Sequence, residues 1–208
     1  MSFVDSFLFP MMCVMLLICV SLRKLQISLA PLKKWGAVIL LSSAILIIPI
    51  KGIMIFRWIY SFNANFSILL QALVFFLLLK ELSGFQLLSN RDFLSFWIFG
   101  VIGGLCLYPF AMGLGPIDPY TWGYSWNGFF VFSGFLTVAL IMFGYKTGFV
   151  LLIAIGAYIT GFLESNNFWD YLLDPFYFLI SIFMLLHWLF RTSKGSINSD
   201  QSTSAVQQ

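Results

Sequence analysis

Four of the eight acidic residues fall in two short polar stretches, which also hold the side chains best suited to chemistry. Stretch 113–127 carries Asp118, Tyr120, Trp122, Tyr124 and Asn127; stretch 164–175 carries Glu164, Asn166, Asn167, Trp169, Asp170 and Asp174. This mixture admits three kinds of chemistry. Two converging carboxylates act as general acid and base when the more desolvated one keeps its proton. Carboxylates with amide carbonyls can hold a divalent cation. Trp and Tyr platforms beside carboxylates and amides can take a sugar or a polar lipid head group. The candidate catalytic groups are therefore Glu164, Asp170 and Asp118. The candidate binding residues are Tyr120, Trp122, Tyr124, Asn127, Asn166, Asn167, Trp169 and Asp174. If the second stretch continues as a helix, Asn167, Asp170 or Tyr171, and Asp174 share one face, with Glu164 one turn earlier.

Each of these residues also has a purely structural reading. Asp174-Pro175 is an N-cap followed by proline at the first helical position. Asp118-Pro119 in a Gly/Pro-rich stretch is a turn. The tryptophans and tyrosines suit the aromatic belt of a membrane interface. Both stretches contain Asp-Pro-aromatic, at Asp118-Pro119-Tyr120 and Asp174-Pro175-Phe176, a short echo that hints at a duplicated helical hairpin.

The elements that would position these stretches are written in the composition. Hydrophobic residues make up 61% of the 208 and charged residues 9%, with a mean hydropathy of +0.96. Soluble domains carry roughly 25% charged residues, so lipid is the expected solvent. Apolar runs at 4–22, 35–56, 62–79, 93–113, 128–145, 147–163 and 175–190 are near the ~20 residues that a bilayer crossing needs. The expected fold is all-α: a polytopic transmembrane helical bundle of about seven spans, with six or eight if the second run divides differently. Pro49 and Lys51 interrupt that run, so residues 52–60 either span or lie in the interface. Residues 1–191 form one transmembrane domain; 192–208 form a polar cytoplasmic tail too poor in apolar residues to order itself.

Charge placement orients the bundle. With the N-terminus outside, Arg23, Lys24, Lys33, Lys34, Lys80, Arg91, Lys146, Arg191 and Lys194 fall inside and only Lys51 and Arg57 fall outside. This is a strong positive-inside bias, and both polar stretches then emerge on the outer face. The first run has no basic n-region and no small-residue cleavage site before Arg23, so it reads as a span. Gly100 and Gly104, like Ala157 and Gly161, have the small-xxx-small spacing of helix contacts, and Gln71 inside the third run suits interhelical hydrogen bonding.

Several classes are excluded. The net charge of +3 is too small to argue for nucleic acid. Cys13, Cys19 and Cys106 lack metal or disulfide spacing, no metal or cofactor is expected, and there is no nucleotide-binding or hydrolase motif. Three functions remain open. The first is a non-enzymatic component of a plasma membrane (a bacterial inner membrane), whose outer loops bind an envelope lipid, a glycan or a membrane partner. The second is an interfacial enzyme using the outer carboxylates on a lipid-linked substrate. The third is a small carrier, for which the near absence of charge at mid-depth is unfavourable.

Overall fold

The computed structural model describes residues 3–27 and 30–205, with side chains described for 7–27, 30 and 32–191. The chain is mostly helical. In order it forms α1 (Phe3–Lys24), α2 (Pro31–Leu46), a two-stranded hairpin of β1 (Pro49–Ile50) and β2 (Ile53–Met54), α3 (Ile55–Phe62), α4 (Ile68–Ser83) and α5 (Asn90–Ala111). A 3-10 helix (Pro119–Tyr124), α6 (Gly128–Met142), α7 (Lys146–Ile159), α8 (Phe168–Leu172) and α9 (Pro175–Ala205) follow. The side chains of the expected polar tail lie outside the described residues, as do residues 206–208 altogether.

The second apolar run does not continue to residue 56. Proline cannot donate to the helical ladder and disfavours the helical conformation of the residue before it, so Pro49 ends α2 at Leu46. The chain then reverses through Lys51 (φ 51°) and Gly52 (φ 80°), between the paired residues Ile50 and Ile53. Two successive positive-φ residues make the tight turn whose twist suits a two-residue hairpin. Residues 55–62 form an eight-residue helix of about 12 Å, too short to cross a bilayer. Phe56 on it is buried, and Arg57 and Trp58 are exposed.

Two helices, Phe7–Lys24 and Asn90–Ala111, are long and apolar enough to cross a membrane. Gly128–Met142, Lys146–Ile159 and Pro175–Arg191 are apolar but shorter. The outward faces of all five are oily, with Leu17, Ile102, Phe135, Ile153 and Phe183 all exposed. So many large apolar side chains exposed along helix faces are unusual on proteins surrounded by water.

The glycines of α5 are packing positions. A Cβ on Gly100 would lie 2.2 Å from Ser181 Oγ, and one on Gly104 would lie 2.0 Å from the Phe178 ring, so α5 and α9 meet backbone to side chain. Gly161 differs from expectation. It lies beyond the end of α7 with φ 63° and nothing near its Cβ position, which makes it a helix-terminating residue rather than a contact. The main core gathers Leu69, Leu73, Phe96, Leu151, Phe168, Tyr171 and Tyr177 from five helices.

Helix starts and ends are tied across the bundle. Ser89 and Asp92 form a capping box at the start of α5, and Asp92 Oδ1 accepts a further hydrogen bond from Lys146 N (2.9 Å) at the start of α7. At the same end, Arg23 of α1 pairs with Glu81 of α4, whose backbone carbonyl accepts from Lys34 of α2.

Candidate functional site

The two polar stretches meet at one end of the bundle. Asp118 starts the 3-10 helix by accepting from Tyr120 N (3.0 Å), while Thr121 Oγ1 donates to the Asp118 carbonyl (2.6 Å). Asn167 starts α8 by accepting from Trp169 N (2.9 Å). The partner stretch supplies the remaining acceptors. Asn167 Nδ2 donates to the Tyr120 carbonyl and Trp169 Nε1 to the Pro119 carbonyl, each at 2.9 Å. Gly123 permits this approach, because a Cβ there would sit 1.7 Å from Asn167 Oδ1. Trp169 is buried and stacks on Phe129 of α6 with centroids 4.1 Å apart.

Tyr120 is the hinge between the stretches. Its hydroxyl donates to Asp170, 3.2 and 3.1 Å from the two carboxylate oxygens, and Ser165 Oγ donates to the same carboxylate. Burial, then the Asp170 charge and the hydrogen bond to it, push the Tyr120 phenol above its ordinary value. Tyr171 OH closes the second stretch on itself by donating towards the Leu163 and Ser165 carbonyls (3.2 and 3.1 Å), and burial raises its phenol too.

Asp174 is buried at the start of α9. Its Oδ1 accepts from Phe176 N (2.9 Å) and Tyr177 N (3.0 Å); its Oδ2 accepts from Ser67 N (3.0 Å) and Ser67 Oγ (2.6 Å) at the start of α4. Burial pushes its carboxyl above the usual value, against the downward pull of these hydrogen bonds.

A cavity of about 310 Å³ lies beside these groups. Its polar lining is Asn63, Asn65, Tyr108, Tyr120, Asp170 and Asp174. Asn63 Oδ1 accepts from Asn65 N (3.0 Å), yet Asn63 Nδ2 and Asn65 Oδ1 are buried without a hydrogen-bond partner. Among the described residues no Lys or Arg lines the cavity. A second cavity of about 240 Å³ lies on another side of Asn65 and is lined by Tyr60, Gln71 and Glu164 among others.

The structure therefore brings Tyr120, Asp170 and Asp174 to one cavity and leaves other candidates elsewhere. Glu164 is exposed, accepts from Tyr60 OH (3.3 Å) and lines the second cavity. Asp118 is exposed and bonds its own turn. Asp170 and Asp174 do not share a continuous helix face, because α8 ends at Leu172 and Leu173 is extended. Trp122 faces the cleft between α5 and α6. Tyr124 meets Tyr120 edge to face with centroids 5.7 Å apart. Asn127 caps α6 through Phe129 N (3.0 Å), and Asn166 is exposed.

Asn63 and Asn65 were hidden from sequence reasoning because residues 62–79 read as one apolar span. The signal was there in Asn63-Ala-Asn65-Phe-Ser67, where alternating amides before a serine mark a turn and an N-cap. Gln71, expected as a link between helices, instead donates to the Phe66 carbonyl (2.8 Å) just before the start of its own helix. Among the described residues no three His, Cys, Asp or Glu side chains gather to hold a metal. No known protein family, curated protein or solved structure matches the chain.

Proposed function

We propose that this is a seven-span protein of a plasma membrane, a bacterial inner membrane, acting as a non-enzymatic component that binds a hydroxyl-rich head group or glycan at its outer face. The spans are α1, α2, α4, α5, α6, α7 and α9, with the N-terminus outside. Three features support the membrane part: the exposed apolar faces, the excess of Lys and Arg at the ends assigned to the inside, and the absence of Asp, Glu, Lys and Arg from the middles of the apolar segments, that of α9 being Pro175–Arg191. Helices as short as 14 residues cover about 21 Å, so flanking apolar residues and local thinning of the bilayer complete those crossings.

The observation that carries the binding reading is the shared cavity. Asn63 Nδ2 and Asn65 Oδ1 stand unpaired in its walls, beside Tyr120 and Asp170. A buried polar group without a partner costs roughly 1–3 kcal/mol. A ligand with both donors and acceptors, met by a small rotation of either amide, removes that cost. With carboxylates and hydroxyls in the lining and no cation among the described residues there, the site favours sugar or polyol hydroxyls over phosphate. Its volume is at the lower end of small-molecule sites.

The enzyme reading needs Glu164, Asp170 and Asp118 together, and each accepts its hydrogen bonds in a different place. The carrier reading needs a polar path to mid-depth, and Gln71 is only one turn into α4.

Copurification in mild detergent tests the proposal, comparing the wild type with Asn65→Ala and Asp170→Asn by native mass spectrometry. A hydroxylated lipid or glycan retained by the wild type and lost from equally stable variants supports it. Equal retention by all three, or a protein partner alone, refutes it.

A further inference from the structure

The cleft between α5 and α6 encloses about 1020 Å³. These helices are consecutive in the chain, yet α5 packs on α9 and α6 packs on α7. The gap between α5 and α6 runs from Arg91 to Phe110, about 29 Å of helix, close to the depth of the hydrocarbon layer. Its walls are apolar along that length, with Ile102 and Phe132 both exposed. The two serine hydroxyls inside it are already bonded, Ser95 to Thr147 and Ser133 to the Phe129 carbonyl (2.9 Å). Among the described residues Arg91 is the one charged residue in the lining, and it stands at the end assigned to the cytoplasm. Its exposed guanidinium lies 5.0 Å from the centroid of the Tyr145 ring.

An apolar slot with one cation at its mouth matches a molecule with one anionic head and a long apolar body. We propose that the cleft binds an anionic phospholipid, its acyl chains between α5 and α6 and its phosphate on Arg91. The planar guanidinium offers a phosphate two parallel hydrogen bonds, and the Tyr145 ring beneath holds the fork in place. A transmembrane helix from a partner is the competing occupant. The proposal rests on the membrane reading but not on the polar cavity at the outer face.

The test is native mass spectrometry of the full chain in mild detergent, titrated separately with dioleoyl phosphatidylglycerol, dioleoyl phosphatidylcholine and inorganic phosphate. The wild type should bind phosphatidylglycerol about tenfold more tightly than phosphatidylcholine, a difference of about 1.4 kcal/mol, and should not hold phosphate alone. Arg91→Gln should remove the preference and Arg91→Lys should keep part of it. Ile102→Trp, which fills the slot, should weaken both lipids, whereas Phe183→Ala on the far face should change neither. Equal binding of the two lipids by the wild type overturns the site, as does a preference that survives Arg91→Gln, or a partner helix cross-linked to position 102. Carbonate extraction of the same membranes separates the failures. Protein released by carbonate overturns the membrane reading and the lipid site together; protein that stays while failing the titration overturns the lipid site alone.

Discussion

Asp174 accepts both the backbone N–H and the hydroxyl of Ser67, a residue 107 positions earlier, so one buried carboxylate joins the starts of α4 and α9. Asp92 does the corresponding work at the other end, joining the starts of α5 and α7 through Lys146 N. Both carboxylates sit at helix N-termini, where the helix dipole favours negative charge. The bundle is thus fastened at both ends by aspartates that cap one helix and reach to the next.

Removing the Asp174 fastening should be costly. Asp174→Ala leaves four donors around a buried site without an acceptor, so a loss of about 3 kcal/mol is expected. Asp174→Asn keeps one acceptor oxygen and should lose less. Thermal unfolding in mild detergent, followed by circular dichroism, measures both; an unchanged midpoint for the alanine variant would refute the fastening role.

The same carboxyl predicts a pH dependence. Its folded value is raised by burial, so the folded protein keeps this proton to higher pH than the unfolded chain. Stability from this group is then fully present below the ordinary Asp value of about 3.9 and is lost as pH rises through the folded value. The wild type minus Asp174→Asn difference in unfolding midpoint should fall as pH rises from that acid limb. A difference that grows with pH would mean that the hydrogen bonds outweigh burial.

Gly123 should not tolerate a side chain. Gly123→Ala drives a Cβ into Asn167 and should separate the two polar stretches, at about 1–3 kcal/mol. Gly134→Ala in α6 meets nothing within 4 Å and is the matched control. Limited proteolysis between 113 and 127 should accelerate in the first variant only.

Gly104→Leu should part α5 from α9. Its Cβ would enter the Phe178 ring, and the remaining side chain has nowhere to go. A fall in the unfolding midpoint of at least several degrees is expected for a change of a few kcal/mol. Restoration by Phe178→Ala in the double variant would show that the clash is local.

The proposed topology has its own test. With the three native cysteines replaced by serine, Asn166→Cys should react with an impermeant maleimide on intact cells. Ser83→Cys and Gly144→Cys should react only after permeabilisation. Labelling of all three from outside would refute the orientation.

Much of this architecture was legible in the chain because it is locally encoded. Apolar runs marked the long helices, although the second run also held the hairpin and the start of α3. The caps at Asp174, and among Ser89 to Asp92, were legible for the same reason: a side chain bonding an N–H two or three residues on is a local geometry. Gly100 and Gly104 announced a contact by their spacing, though not that α9 was its other side. What only the tertiary structure decided was which helix starts are neighbours. No periodicity in sequence says that Asp174 meets Ser67, that Tyr120 meets Asp170, or that Asn63 and Asn65 leave the third run to line the same cavity. Those pairings depend on how the apolar helices pack together, and a carboxylate's partner across the bundle is chosen by that packing rather than by its own neighbours in the chain.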